Sequence, residues 1–202
     1  KPHRKNLFIF GFLFGFGFFL SGISWITQSL TFDENFKIFI PFALIFIPMF
    51  LSLFLGFALL LIGPYLNYNF SSILIFSGAM SVADFLRAKL FTGFPWNLWA
   101  YSLSWSIETL QILNLIGLFA FNLLTITIFT LPAILFFSIE LKKRILIFVC
   151  FLTSILVLYI FGSYELNKNK NYLKTINEKI YVKIISPNFE LKYGLNLNQI
   201  ND

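Results

Sequence analysis

The feature that most constrains this chain is a series of long stretches without a single charged residue. These charge-free stretches are 6–32, 38–83, 90–107, 109–139 and 145–164. Only 12% of the 202 residues are charged, against roughly a quarter in soluble globular domains, and the mean hydropathy is +0.81. A lipid bilayer is the solvent that explains such a pattern. The sequence therefore predicts an all-α polytopic membrane bundle.

The lengths of the apolar stretches predict about five transmembrane helices. A helix needs about 20 apolar residues to cross about 30 Å of hydrocarbon. Gly63-Pro64, followed by Asn67 and Asn69, divides the longest stretch, because this composition ends a helix and starts a turn. The predicted spans are 7–27, 38–62, 70–90, 109–138 and 145–163, which together make a transmembrane domain over residues 1–163.

Basic residues predict the orientation of these spans. Lys1, Arg4 and Lys5 precede the first span and Lys142–Arg144 precede the fifth, whereas the loop between the first two spans carries Asp33, Glu34 and a single Lys37. Cytoplasmic loops are enriched in Lys and Arg, so we predict a cytoplasmic N-terminus and a C-terminus on the opposite side. Residues 164–202 then form a linker and the start of a further domain, with a first strand near 180–186.

Composition also excludes several classes of function. The single cysteine, Cys150, rules out a disulfide framework and a cysteine-based zinc site, and the single histidine, His3, leaves no imidazole cluster. We therefore predict neither a metal nor another cofactor. The net charge of +6 does not predict nucleic-acid binding, because seven of the fifteen basic residues lie just outside apolar runs, as topology signals do.

The first span carries small residues at helical spacing. Gly11 and Gly15 are four apart, and Gly22 follows near the end of the span. Small residues four apart allow two helix backbones to approach closely. We interpret these glycines as helix-packing positions; the alternative is a groove for a ligand.

Asp84 and Arg87 are charged residues near the end of the third span. Three residues apart on a helix, they share a face and can neutralise each other. One interpretation is an ion pair that fixes topology, and the other is a functional site. An uncharged aromatic loop follows the pair and supports the interpretation as a functional site. We predict that Trp96 and Trp99 anchor this loop at the membrane interface. Arg87 is a forked donor suited to a phosphate or a carboxylate, so we predict that it contacts a lipid headgroup or the linker to the domain that follows, and that Asp84 orients it.

Three short motifs around this site resemble a known family. Asp84-Phe85-Leu86-Arg87, then Phe91-Thr92-Gly93-Phe94-Pro95-Trp96, then Tyr101-Ser102 are similar to the signature of bacterial apolipoprotein N-acyltransferases. The glycine and phenylalanine pattern of the first span, Gly117 and Asn122 add to the resemblance. It departs at Asp84, where that family usually has Glu.

The resemblance implies a bacterial inner-membrane enzyme with eight spans and a periplasmic nitrilase-like α/β domain. A Glu-Lys-Cys triad in that domain takes an acyl chain from a phospholipid as a thioester. It then passes the chain to the α-amino group of a diacylglyceryl-cysteine apolipoprotein. The strand near 180–186 resembles the first strand of the nitrilase-like domain.

No such triad is visible in this sequence, since Cys150 lies within an apolar helix. We therefore expect a truncated member of the family that is inactive by itself, without the first two spans and the last one. Its expected partners are the phospholipid acyl donor, the apolipoprotein and membrane lipids. The alternatives are a small non-enzymatic transporter, with Asp84 and Arg87 lining a pore, and a membrane protein that only binds lipids or lipoproteins.

Overall fold

A computed structural model of the chain describes residues 4–67, 69–90, 93, 95–175 and 183. Within these ranges all regular structure is helical. The α-helices are α1 (Arg4–Ile23), α2 (Ile40–Ile62), α3 (Phe70–Lys89), α4 (Ile107–Leu110), α5 (Leu113–Thr130) and α6 (Leu141–Thr175). Short 3₁₀ segments extend or join them at Ser24–Thr31, Glu34–Phe39, Gly63–Tyr65, Trp99–Leu103 and Leu131–Phe136.

Five of the described helical stretches are long and apolar enough to cross a membrane. They are Arg4–Thr31, Glu34–Tyr65, Phe70–Lys89, Leu113–Phe136 and Leu141–Thr175. The prediction of an all-helical bundle with five spans is confirmed to this extent. The predicted strand near 180–186 lies outside the described residues, apart from Lys183 alone.

Local sequence explains where the helices begin and end. α2 gives way to the 3₁₀ turn Gly63–Tyr65, where Pro64 supplies no backbone N–H. Asn69 caps α3, since its side chain accepts a hydrogen bond from the Ser72 amide at 3.0 Å. α5 is interrupted at Gly117, whose φ of 75° is accessible to glycine at little cost.

α6 is longer than the sequence predicts. The fifth span was placed at 145–163 and residues from 164 onward in a linker, whereas the helix continues to Thr175. Its 35 residues correspond to about 50 Å, well beyond about 30 Å of hydrocarbon. No Gly or Pro lies between 163 and 175, and Glu165 pairs with Lys168 one turn on at 3.7 Å. The polar residues after 163 therefore end the apolar run, but the helix continues through them.

The core lies where α1, α2, α3 and α5 meet. Its buried apolar side chains are Phe19, Ile23, Leu51, Leu55, Ala58, Met80, Ala83 and Ile126. Helices α1 and α2 pack closely: a Cβ added to Gly11 would lie 2.6 Å from the Leu55 carbonyl oxygen, and one added to Gly15 would lie 3.0 Å from the Ser52 Cβ. By contrast, an open apolar groove of about 760 Å³ lies between α2 and α3.

Candidate functional site

The last turn of α3 carries a buried ion pair. Asp84 and Arg87 are each only 2% exposed, and the Arg87 Nη2 donates to Asp84 Oδ1 at 2.9 Å. The spacing of three residues puts both side chains on the face of α3 that packs into the bundle. The structure therefore brings together the two charges that the sequence predicts as a pair.

Asn122 binds the second oxygen of the Asp84 carboxylate. Its Nδ2 donates to Asp84 Oδ2 at 2.8 Å, and its Oδ1 accepts the backbone N–H of Ala100 at 2.9 Å. Asn122 and Ala100 are themselves buried. One amide side chain from α5 thus joins the carboxylate of α3 to the loop that follows α3.

Arg87 reaches the same loop directly. Its Nη1 donates to the carbonyl oxygen of Trp96 at 2.6 Å, while its Cζ lies 4.9 Å from the ring centroid of Phe19 on α1. A planar guanidinium presents donors on separate nitrogens in a fixed fork while its face lies against an aromatic ring, whereas a lysine has a single donor nitrogen on a flexible stem. We call Asp84, Arg87 and Asn122 the polar cluster. It connects α3, α5 and the loop at one end of the bundle.

Asn97 fixes the entry of the loop against α1. Its backbone has a φ of 58°, a left-handed conformation that Asn tolerates better than most residues, and its Nδ2 donates to the Phe18 carbonyl at 3.3 Å. A Cβ added to Gly22 would lie 2.1 Å from this same Nδ2. The neighbour of Gly22 is therefore the loop and not another helix, because α1 reaches its last turn there.

The two predicted tryptophan anchors occupy different environments. Trp99 is partly buried and stacks on Phe18, with ring centroids 4.6 Å apart. Trp96 is 52% exposed and meets Trp25 edge to face at 5.4 Å. Their anchoring at a membrane interface stays a prediction, as does the contact of Arg87 with a lipid headgroup. In the structure both Nη atoms of Arg87 bind protein acceptors.

The end of the loop packs against the C-terminal half of α6. Ser106 caps the short helix α4 and donates to Glu108 Oε2 at 2.8 Å. The Glu108 backbone N–H and the Ser106 hydroxyl hold the pKa of the Glu108 carboxyl below its usual range. A Cβ added to Gly162 would lie 1.8 Å from the Glu108 carbonyl oxygen, so glycine is required for this approach.

Two further kinds of reactive group are relevant among the described residues, metal-ligating clusters and the cysteine thiol. Among them, no group of three or more His, Cys, Asp or Glu side chains could hold a metal ion. Cys150 is exposed on the surface of α6 and is not enclosed by the bundle. The contacts of the polar cluster itself hold the loop against α3 and α5.

Sequence reasoning did not assign Asn122, Asn97 or Phe19 to the site. For Asn122 a signal existed, because a polar side chain in an apolar span is costly unless it has partners. Its partners lie 38 and 22 residues away, at Asp84 and Ala100. Only the packing of α3 against α5 identifies them. Asn97 and Phe19 gave no signal of this kind.

These observations define the class of protein: a multi-pass helical membrane protein whose polar cluster holds an aromatic loop at one end. The family described as apolipoprotein N-acyltransferase N-terminal domain matches residues 1–131, and the chain belongs to this family. The match includes the whole polar cluster and the loop. Of the loop motif, Phe91, Thr92 and Phe94 lie outside the described residues.

Similar proteins with curated names are consistent with this assignment. The apolipoprotein N-acyltransferase of Brucella melitensis is 36% identical over 126 residues, which are 62% of this chain and 24% of that protein. The one from Rhodopseudomonas palustris is 38% identical over 130 residues, with the same shares. The one from Rickettsia bellii is 32% identical over 178 residues, 88% of this chain and 34% of that protein. The chain thus matches a quarter to a third of the length of these relatives.

Proposed function

We propose that this chain is the membrane portion of an apolipoprotein N-acyltransferase. In the proposed reaction an acyl chain moves from a phospholipid to the N-terminal diacylglyceryl-cysteine of an apolipoprotein. Membership of the family, the names of the relatives and five candidate spans support this proposal. We further propose a bacterial inner membrane location, with the N-terminus cytoplasmic and the C-terminus periplasmic, as the distribution of Lys and Arg indicates.

One observation carries the role that we propose for the polar cluster. Arg87 binds both the Asp84 carboxylate and the Trp96 carbonyl, while Asn122 binds that same carboxylate and the Ala100 amide. The loop backbone is therefore held at two points by buried groups of α3 and α5. In our proposal this fixes the aromatic loop at the outer leaflet, where both lipid substrates approach the catalytic domain.

The bond-making groups of the proposed reaction lie outside these 202 residues. The one cysteine, Cys150, is on α6 and has no acid or base among its hydrogen-bond partners in the described structure. A thiol needs an activating base or cation to act as a nucleophile. We therefore propose that residues 1–202 position substrates and the catalytic domain, and that they transfer no acyl chain by themselves.

The pore alternative gains no support from the described site. Asp84 and Arg87 are buried against each other and have further partners in Asn122 and Trp96, so they do not line an open path. A transport pathway through a bundle requires polar groups that face a water-filled cavity.

A chimaera tests the proposal. The segment of the Brucella melitensis protein that aligns with this chain is replaced by the matching residues of this chain. Transfer of a labelled acyl chain from a phospholipid to a diacylglyceryl-cysteine peptide is then measured in vesicles. We expect the chimaera to retain transfer, because the inserted segment supplies the same loop support. The isolated 202-residue chain should give none.

Two variants of the chimaera separate positioning from folding. Arg87→Lys keeps the charge but replaces the two donor nitrogens that bind Asp84 and Trp96 with a single one on a flexible stem, so we expect transfer to fall about tenfold or more while the protein still accumulates. Lys143→Gln removes a charge that is 66% exposed and should leave transfer unchanged. An inactive parent chimaera that folds and inserts would contradict the proposed function. Full activity of Arg87→Lys would contradict the role of the loop.

A further inference from the structure

The opposite end of the bundle contains a second cavity that the proposed reaction does not use. It has a volume of about 740 Å³, within the range of small-molecule sites. Leu7, Gly63, Ser72 and Thr130 lie on its wall, so α1, α3 and the ends of α2 and α5 all border it. The polar cluster lies at the other ends of α3 and α5, so this cavity is a separate site.

The lining of this cavity is amphipathic. The apolar side chains are Leu7, Leu66, Ile73, Phe76, Ala133 and Phe137. The polar ones are Asn67, Ser72 and Thr130. The groove between α2 and α3, in contrast, is lined by apolar residues throughout its described part. A ligand for the second cavity therefore needs both a hydrocarbon part and a polar part.

Arg144 places a cation beside this cavity. Its Nη2 donates at 3.1 Å to the carbonyl of Phe137, which is itself a lining residue. Its Nε is buried and has no hydrogen-bond partner among the described residues. A buried N–H without a partner is costly, so this side chain has a reason to shift toward an additional acceptor, and a phosphate bound in the cavity would offer one.

The charge of this end favours an anion. The described basic residues here are Arg4, Lys5, Lys142, Lys143 and Arg144, against the single acid Glu140, which pairs with Lys143 at 3.4 Å. Basic pockets between transmembrane helices are known sites for anionic lipid headgroups. Arginine suits such a group, because its planar fork binds phosphate oxygens in pairs.

We propose that this cavity is a binding site for an anionic phospholipid. The headgroup phosphate accepts hydrogen bonds from Arg144, and part of an acyl chain lies against the apolar lining. The site is distinct from the substrate site of the proposed acyl transfer, and it does not depend on that proposal.

Native mass spectrometry of the full chain in neutral detergent tests the site. Phosphatidylglycerol and phosphatidylcholine with identical acyl chains are added separately, so that only headgroup charge differs. We expect phosphatidylglycerol to bind at least about fivefold more tightly, which corresponds to one basic contact near a membrane surface. Equal binding of the two lipids would overturn the proposal.

Two pairs of variants locate the bound lipid. Arg144→Gln should reduce phosphatidylglycerol binding about fivefold, to the level of phosphatidylcholine, whereas Lys143→Gln, an equal charge change on the same turn, should alter it less than about twofold. Ala133→Trp fills the cavity from an exposed position and should abolish the bound lipid. Ala79→Trp, in the α2–α3 groove, should not.

The remaining outcomes also decide the proposal. Equal losses in Arg144→Gln and Lys143→Gln would mean general electrostatic attraction and overturn the site. Unchanged binding in Ala133→Trp would do the same. If Arg144→Gln fails to fold, the comparison of the two tryptophan variants decides. Displacement of the lipid by millimolar inorganic phosphate would show a site for a free anion and not for a lipid.

Discussion

Two ion pairs with identical spacing lie at opposite ends of the bundle. Asp84–Arg87 on α3 has an N–O distance of 2.9 Å and side chains that are 3% and 1% exposed. Glu140–Lys143, at the start of α6, has an N–O distance of 3.4 Å and side chains that are 73% and 66% exposed. Helical spacing explains why both pairs form. The difference in solvent exposure explains why they contribute differently to the structure.

The buried pair differs from the exposed one because its charges have been removed from water. Such a pair is stable only with further hydrogen bonds to its other polar atoms, and here Asn122 binds Asp84 Oδ2 while the Trp96 carbonyl binds Arg87 Nη1. The exposed pair keeps its hydration and contributes about 0–1 kcal/mol. The comparison teaches that the buried pair is part of the tertiary structure, while the exposed pair is a local feature of a helix.

The largest expected effect is that of Arg87→Ala. This change leaves the Asp84 carboxylate buried without its cation, so we expect a loss of about 3–5 kcal/mol in the free energy of unfolding. Lys143→Ala, at the exposed pair, should change it by less than about 1 kcal/mol. Denaturant titration of both variants in the same micelles measures the difference. Equal effects would remove the distinction between the two pairs.

Asn122→Ala sharpens the comparison by removing only the neutral member of the polar cluster. It leaves Asp84 Oδ2 and the Ala100 N–H without the partner they share, and we expect a cost of about 2–3 kcal/mol. Asn114→Ala is the control, because Asn114 is an exposed asparagine on the same helix. Denaturant titration of the two variants is again the measurement. A cost no larger than that of the control would mean that the cluster does not need Asn122.

Gly11→Ala extends the comparison from charges to helix contacts. The new Cβ would meet the Leu55 carbonyl oxygen at 2.6 Å, so α1 and α2 must separate, and we expect a loss of about 1–2 kcal/mol. Gly17→Ala has open space around it and should be neutral or slightly stabilising. Thermal unfolding of the two variants is the measurement. A Gly11→Ala variant that is as stable as the wild type would contradict the proposed packing role.

The smallest expected effect concerns Glu108, an acid outside the spans. Its pKa is lower in the folded chain than in the unfolded chain, so its contribution to stability is present above the unfolded pKa of about 4.3 and disappears as the pH falls through the folded value. The stability difference between the wild type and Glu108→Gln should therefore shrink as the pH falls from about 6 to about 3. A difference that stays constant over this range would contradict the pKa direction.

The sequence predicted those features that depend on neighbours along the chain. Runs of apolar residues predicted the five spans, and a spacing of three predicted the Asp84–Arg87 pair. Contacts between elements were not predictable in this way, because they depend on how each helix is rotated against the next. Asn122 meeting Ala100 and Gly22 meeting Asn97 are of this kind. The extension of α6 to Thr175 was missed because hydropathy marks the membrane boundary and not the helix end.

The most direct test of the account is hydrogen exchange at the loop backbone. The Ala100 amide donates to Asn122, and the Trp96 carbonyl accepts from Arg87, so the polar cluster should protect residues 95–103. We compare the wild type, Arg87→Lys and Lys143→Gln in identical micelles. We expect amide exchange of the loop to accelerate about tenfold or more in Arg87→Lys alone, while the α1–α2 contact stays protected. Unchanged loop protection in a folded Arg87→Lys would contradict the claim that the polar cluster holds the loop.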